Sequence, residues 1–485
     1  MFKREKMMGT AWVLACVVSF TACAGGEKNM PDNAITEESD ASATDAANDT
    51  ETDTETGKTD DATPNTATGD VSSENNVTDD VVLLASNSSA MMMATTEDGL
   101  YRISNEEISD GVWANKIYYV DYASAKEIVL CSDASCRHNS KDCPGIIYDE
   151  ELVNPEVFVY KDKVYIYSTQ DDSNTSGTVI DASGAFEIIT YPAKLYEMNK
   201  DGTDRRLVKE FSQDYTMDEN VMAWNGELIF CRKKLESETD KDGTTYNYSV
   251  DNKLISLNVS DGSTKELFDM SDEYTLQGTY KKYLVCGKTK YPDGYTAKEA
   301  DRMDFSEWRA LMDRSMEQYV FIDMESGEEI PVYEISNKDL SGTIVMNGKL
   351  YINNGTKKIT CVDLETKDIS SIKMDDKYVM VKSLGDRIYC WREGHEDEMY
   401  YWDPVSNEIQ RADMKIKGTN LASEIVAYTD DSIIMICDGE YQTSALAPEA
   451  YEVNSTIFGI SKKQDLYKGI KDYTPVDMCS EGVIR

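Results

Sequence analysis

The chain is short of histidine, short of base and short of long apolar runs. Only His138 and His395 occur in its 485 residues, so imidazole-based acid/base chemistry has little to draw on. Lys and Arg number 49 against 90 Asp and Glu, a formal charge of −41. A field of that sign repels phosphate backbones and anionic headgroups, which argues against nucleic acid and direct adhesion to anionic lipid. No stretch beyond residue 20 is apolar for the roughly 20 residues a helical membrane span needs. Residues 24–80 contain no aromatic side chain and hold 16 acids against two lysines, Lys28 and Lys58. Such a segment cannot bury enough apolar surface to offset its ordering entropy. No Gly-rich phosphate loop opens a helix, and no Gly-x-Ser-x-Gly elbow occurs.

What is present begins at the N-terminus. Lys3, Arg4 and Lys6 precede an uncharged, mostly apolar run over residues 7–20, the pattern of a signal-peptide core. The following Phe20-Thr21-Ala22-Cys23-Ala24 resembles a bacterial lipobox, although Phe20 stands where Leu is usual. The resemblance implies a signal peptide at 1–22 and lipid attachment at Cys23. It places the protein on the extracytoplasmic face of the cell membrane, held there by lipid alone. A plain secretory signal, with Cys23 incidental, is the alternative. Residues 23–90 then read as a lipidated cysteine followed by a disordered, self-repelling tether. As a neutral coil the tether's reach is roughly 40–45 Å, and charge extends it.

Residues 91–485 read as one all-β domain. Turns rich in Gly, Asn and Asp punctuate short runs of Tyr, Ile, Val and Leu, and the pattern repeats. One strand recurs as EDGLYRI (97–103), KDKVYIY (161–167), NGELIFC (225–231), KKYLVC (281–286), NGKLYIN (347–353), GDRIYC (385–390) and DDSIIMIC (430–437). After each comes a hairpin, such as KLYEMNKDGTDRRLV (194–208) or KITCVDLETKDISSI (358–372). Seven units predict a β-propeller of seven blades, with six blades as the alternative. Tyr196-Glu197-Met198-Asn199-Lys200-Asp201-Gly202-Thr203 resembles the Tyr-x-x-Asn-x-Asp-Gly signature of TolB-like and low-density-lipoprotein-receptor-like propellers. Residues 96–145, a hairpin followed by clustered cysteines, resemble uncharacterised propeller lipoproteins of anaerobic Gram-positive bacteria. Those proteins continue Cys-x-Ala where this chain has Cys143-Pro144-Gly145. The resemblance implies fold and location and no enzyme activity.

Cys231, Cys286 and Cys390 occupy one position of the repeated strand, where Val, Ile and Tyr stand in other units. They read as small buried hydrophobes. Cys361 and Cys437 also fall in strands, and Cys479 has no evident partner. Cys131, Cys136 and Cys143 lie instead in a polar loop and share it with His138. Three thiols and an imidazole within 13 residues complete a zinc ligand set. The spacing, x4, x and x4, is not that of a standard knuckle. A local disulfide with one odd thiol, favoured by export, and unpaired thiols are the other readings. Four protein ligands would make the zinc structural.

Connections between the first and second recurring strands vary most: 168–190, 234–252 and 287–318. They are expected on one side of the ring as a binding face. Residues 297–317 are expected to form one amphipathic helix, with Met303, Trp308, Leu311, Met312 and Met316 on its apolar stripe. His395 lies in a charged stretch and reads as a solvated hairpin tip. The expected function is a ligand-binding or protein-interaction module for an extracytoplasmic protein, peptide or glycan. An extracytoplasmic hydrolase or lyase acting on glycan or peptide is the alternative.

Overall fold

A computed structural model describes residues 80–479, apart from 86–92, 110–111, 149–151, 153–154, 170–177, 181–185, 189–191, 240–244, 272–273, 420 and 444–450. The expected signal peptide, Cys23 and nearly all of the expected tether lie outside the described residues.

The described chain is a seven-bladed β-propeller. Each blade is an antiparallel sheet with four strands in chain order from inner to outer. Blade one is Met93–Thr95, Gly99–Ser109, Val112–Asp121 and Lys126–Val129. Blade two is Pro155–Tyr160, Lys163–Ser168, Lys194–Asn199 and Arg206–Glu210. Blade three is Thr216–Trp224, Glu227–Thr239, Thr245–Leu257 and Thr264–Asp269. Blade four is Tyr274–Tyr280, Tyr283–Lys290, Met316–Asp323 and Glu329–Ser336. Blade five is Gly342–Met346, Lys349–Asn353, Lys358–Asp363 and Ile369–Lys373. Blade six is Tyr378–Ser383, Ile388–Arg392, His395–Asp403 and Glu408–Arg411. Blade seven is Ile425–Tyr428, Ser432–Thr443, Tyr451–Lys462 and Thr474–Pro475.

The recurring strand of the sequence is the second strand of each blade. Its side chains are buried on both faces because each sheet packs between two others. In blade two, Tyr165 and Tyr167 enter the core shared with blade three, while Val164 and Ile166 enter the core shared with blade one. Blades three and four meet through Ile229 and Leu284, and blades four and five through Val285 and Leu350. Trp402 fills the blade five–six core against Tyr351. The ring closes where Leu100 and Val120 of blade one meet Ile434 and Phe458 of blade seven. The tight first-to-second turns follow their residues. Asn225-Gly226 and Asn347-Gly348 both have positive φ, the geometry that a two-residue type I′ hairpin requires.

The ring begins earlier than residue 91. Val82–Ala85 pairs antiparallel with the inner edge of blade three, opposite Ala223, Met222 and Val221. It also touches the inner strands of blades two and four, so it lies in the channel. The Val81 amide donates to the Lys281 carbonyl at 2.7 Å. Val81 and Ala85 are buried in two successive interblade cores. The run Val-Val-Leu-Leu-Ala is apolar where the preceding tether is not, and the channel wall is where it is buried.

Residues 297–317 hold two short helices, Ala297–Ala300 and Phe305–Met312, and not the one long helix expected. Thr296 caps the first in a capping box with Glu299, and the Asp304 side chain caps the second. Two N-caps eight residues apart force a break between them. Of the expected stripe, Leu311 is buried, Met303, Met312 and Met316 are half-buried, and Trp308 is exposed. Met316 already belongs to the third strand of blade four.

Candidate metal centre

The outer edge of blade one is interrupted. Lys126–Val129 pairs with the third strand up to Tyr118, the chain leaves as a loop, and Ile146–Tyr148 resumes pairing at Lys116 to Ala114. The cysteine loop is therefore an excursion from the middle of an outer strand. Both ends are pinned to one carbonyl–amide pair: Leu130 N–H donates to Ile117 O, and Ile117 N–H donates to Gly145 O. Arg205 of blade two reaches across to the Pro144 and Ile146 carbonyls at 3.1 and 2.6 Å. Gly202, in the Asn-x-Asp-Gly turn, comes so close that a β-carbon there would stand 2.4 Å from Leu130 O.

Within the loop the turns are set by short polar contacts. Asp133 accepts from the Ser135 amide and hydroxyl. The Cys136 and Cys143 amides donate to Asp133 O and Ser140 O. His138 takes a positive φ of 52°, which turns the chain back on itself. The result gathers one ligand atom each from Cys131, Cys136, His138 and Cys143, all within 4.8 Å of one another. His138 Nδ1 lies 3.4 Å from Cys143 Sγ. A tetrahedral zinc with Zn–S near 2.3 Å and Zn–N near 2.0–2.1 Å implies an N···S edge of about 3.6 Å and S···S edges of about 3.8 Å. The donor set fits zinc, and closing onto it needs shifts of about 1 Å or less. The His138 amide also donates to Cys136 Sγ at 3.3 Å, an outer bond of the kind that steadies a ligating thiolate. Ala114, Ile146, Ile108 and Tyr148 pack around the sulfurs. Burial, and contact with Cys136 and Cys131, push the Cys143 thiol up to about 12.

A cavity of about 550 Å³ opens beside the cluster, lined among others by Lys116, Glu127, Cys131, Arg137, His138 and Cys479. Cys479 comes from the far end of the chain. Its thiol is pushed up to about 11 by burial and then by the Glu127 carboxylate. All nine described cysteines are free thiols. Cys286, Cys361, Cys390 and Cys437 are buried among apolar neighbours and Cys231 is half-buried. His395 stands exposed at the blade-six hairpin next to Gly394 and has no part in the cluster.

In an up-and-down ring, second-to-third-strand connections emerge at one end. Two of the three insertions touch there: Glu238 of the blade-three hairpin pairs with Lys298 at 3.1 Å and Arg302 at 2.7 Å. On the helix that follows, Phe305 and Trp308 stack on each other at 6.1 Å and remain 68% and 38% exposed. Among the described residues of the insertion at 168–190 are two short paired strands, Thr178–Ile180 and Phe186–Ile188.

No protein-family model matches the chain, and no curated protein sequence matches it. Solved structures resemble it at low identity. An acylaminoacyl peptidase from Pyrococcus horikoshii is 11% identical over 62% of this chain, with a TM-score of 0.36; the chain spans 43% of that protein's length. An oligogalacturonate lyase from Vibrio parahaemolyticus is 11% identical, covering 67% of this chain and 85% of the other, with a TM-score of 0.37. TolB from Acinetobacter baumannii is 8% identical, covering 77% and 78%, with a TM-score of 0.31.

Proposed function

We propose that the protein is a lipid-anchored, extracytoplasmic binding module. Its propeller would meet a protein, peptide or glycan on the insertion face, and a structural zinc ion would staple the edge of blade one. The observation that carries the binding reading is that face. Glu238 of the blade-three hairpin ties down the first helix of the neighbouring blade and the link to the second, yet Tyr295, Phe305 and Trp308 are left in solvent. Apolar surface held exposed on fixed elements favours an interaction site. The anchor rests on Cys23 and the motif around it.

Zinc would be held by the thiolates of Cys131, Cys136 and Cys143 and by His138. Four protein ligands fill a tetrahedron and leave no position for a reactive water. The ion would therefore supply a cross-link and no chemistry.

The test is a binding screen of the purified full-length protein against cell-wall fragments, glycans and peptides, with elemental analysis of the same sample. One ligand class should bind and weaken at least about tenfold in a Phe305→Ala/Trp308→Ala variant, as expected when central aromatic anchors are removed. Binding that ignores this variant removes the assigned face. Release of cleaved product would establish a hydrolase or lyase instead. One zinc per chain is expected. Absence of metal, with two loop cysteines joined, overturns the zinc reading.

A further inference from the structure

We infer that metal loading of the Cys131–Cys143 loop controls the seam at which the ring closes, between blade seven and blade one. This rests on the zinc reading of the preceding paragraphs.

The seam runs through one short strand. Lys126–Val129 has only four residues, and the C-terminal segment lies beside it. Lys126 and Asp477 form a parallel bridge. The Glu127 amide donates to Asp477 O at 3.0 Å, and the Asp477 amide donates to Ala125 O at 2.8 Å. The Glu127 carboxylate then takes the Cys479 amide at 3.0 Å on one oxygen and Arg102 Nε at 2.6 Å on the other. Arg102 sits over the rings of Tyr118, at 4.9 Å, and Phe458 of blade seven, at 5.6 Å.

The far end of this strand is the metal loop. Cys131 N–H donates to Val129 O at 2.7 Å, so one residue separates the first ligand from the strand. As an outer strand, Lys126–Val129 pairs with Val112–Asp121 on one side and meets Asp477 in a single bridge on the other. An open loop from 131 to 143 must be closed against chain entropy, and a cross-link through Cys131 and Cys143 removes that cost. Cluster and seam also face the same cavity, with Cys131 and His138 lining it together with Glu127 and Cys479. Freeing the loop should fray the strand's end, and the C-terminal segment loses its partner. By linkage the coupling is reciprocal: loosening the C-terminal segment must weaken metal binding by the same factor.

The experiment uses the full-length protein with zinc alone as the probe. Amide hydrogen exchange is followed at Glu127, Asp477 and Cys479 with zinc and after chelation, with Leu350 and Ile352 of blade five as reference. Chelation should speed exchange at the seam about tenfold and leave blade five unchanged. Truncation after Val476 should lower zinc affinity by a like factor, within the 5- to 150-fold common for coupled sites. Suppose one zinc binds per chain, seam exchange ignores it, and the truncated chain holds zinc as tightly. The inference then fails while the zinc reading stands. Uniform acceleration in every blade also overturns it, because the metal would then hold the whole fold. If no zinc binds, the zinc reading fails first and the inference with it.

Discussion

Arg102→Met is the sharpest single perturbation of ring closure. Arg102 and Glu127 are an ion pair whose side chains are 1% and 0% exposed. Removing the guanidinium leaves the Glu127 carboxylate buried beside the Cys479 amide but without its cationic partner. Breaking one side of a buried pair costs about 3–5 kcal/mol. A propeller of roughly 400 residues unfolds with an entropy near 0.8 kcal/mol/K, so the melting temperature should fall by about 4–6 °C. The double variant Arg102→Met/Glu127→Met behaves differently, because replacing both charges with apolar side chains is often near neutral. The Cys479 amide then lacks its acceptor, at about 1 kcal/mol. The double variant should therefore melt within about 2 °C of the parent, above the single variant. Scanning calorimetry on the four proteins of the cycle decides it. A single variant that melts within 1 °C of the parent, or a double variant no better than the single, would refute the claim that this pair governs the seam.

Three other outcomes are expected. Cys23→Ala should move the protein out of the membrane fraction or leave it unprocessed; unchanged retention with an unmodified N-terminus would sink the lipid anchor. Val81→Asp puts a carboxylate between blades three and four, where Val81 is buried, and should cost about 2–3 kcal/mol, a melting shift of about 2–4 °C; no shift would mean the channel strand contributes nothing. Glu156, on the inner strand of blade two, is 1% exposed and neither carboxylate oxygen has a hydrogen-bond partner. Burial, then Glu219 and Asp218, raise it to about 9. The folded state thus holds a proton that the unfolded chain releases near its ordinary value. This stability is fully present at acid pH and is lost as pH rises toward 9. Glu156→Gln should gain stability over the parent progressively from pH 5 to 9 in thermal melts, and a pH-independent difference would contradict the buried neutral carboxyl.

The propeller was legible because its second strands are sandwiched. A strand packed on both faces must be apolar along its length, so KVYIY, KLYIN and SIIMIC stand out between their turns. The inner strands were not part of the recurring pattern. Thr216–Trp224 carries Asp218, Glu219 and Asn220 in a register shift against its neighbour, and the Asp218 carboxylate is held there by Lys233 and Asn220. Channel-lining positions answer to partners that differ from blade to blade, so they show no period. The channel strand did carry a local signal, the change from an acidic tether to Val81–Ala85, but its partner lies some 140 residues away. The spacing of Met303, Trp308 and Leu311 points to one helix, but the caps at Thr296 and Asp304 divide the segment in two. Capping chemistry sets where a helix begins, whereas an apolar stripe only says which side it would bury.

The cysteine cluster separates what local sequence can carry from what only closure of the ring can. The ligand types and their nearness along the chain are local, and the loop that gathers them is built from its own turns at Asp133, Ser140 and His138. Its setting is not local. Ile146–Tyr148 resumes an outer strand by pairing with Ala114–Lys116, so the loop interrupts the outer edge of the blade. Glu127 and Cys479 are separated by 352 positions and meet because the last blade of a ring must dock on the first. No spacing rule links them. Among the described residues no blade is built from both ends of the chain, so the joint needs some other fastening. Here that fastening is a buried ion pair and three hydrogen bonds from backbone amides, at Ala125 O, at the Glu127 amide and at the Glu127 carboxylate. The ligand set stands at the end of the strand Lys126–Val129, at the joint where an added cross-link has most effect on the ring.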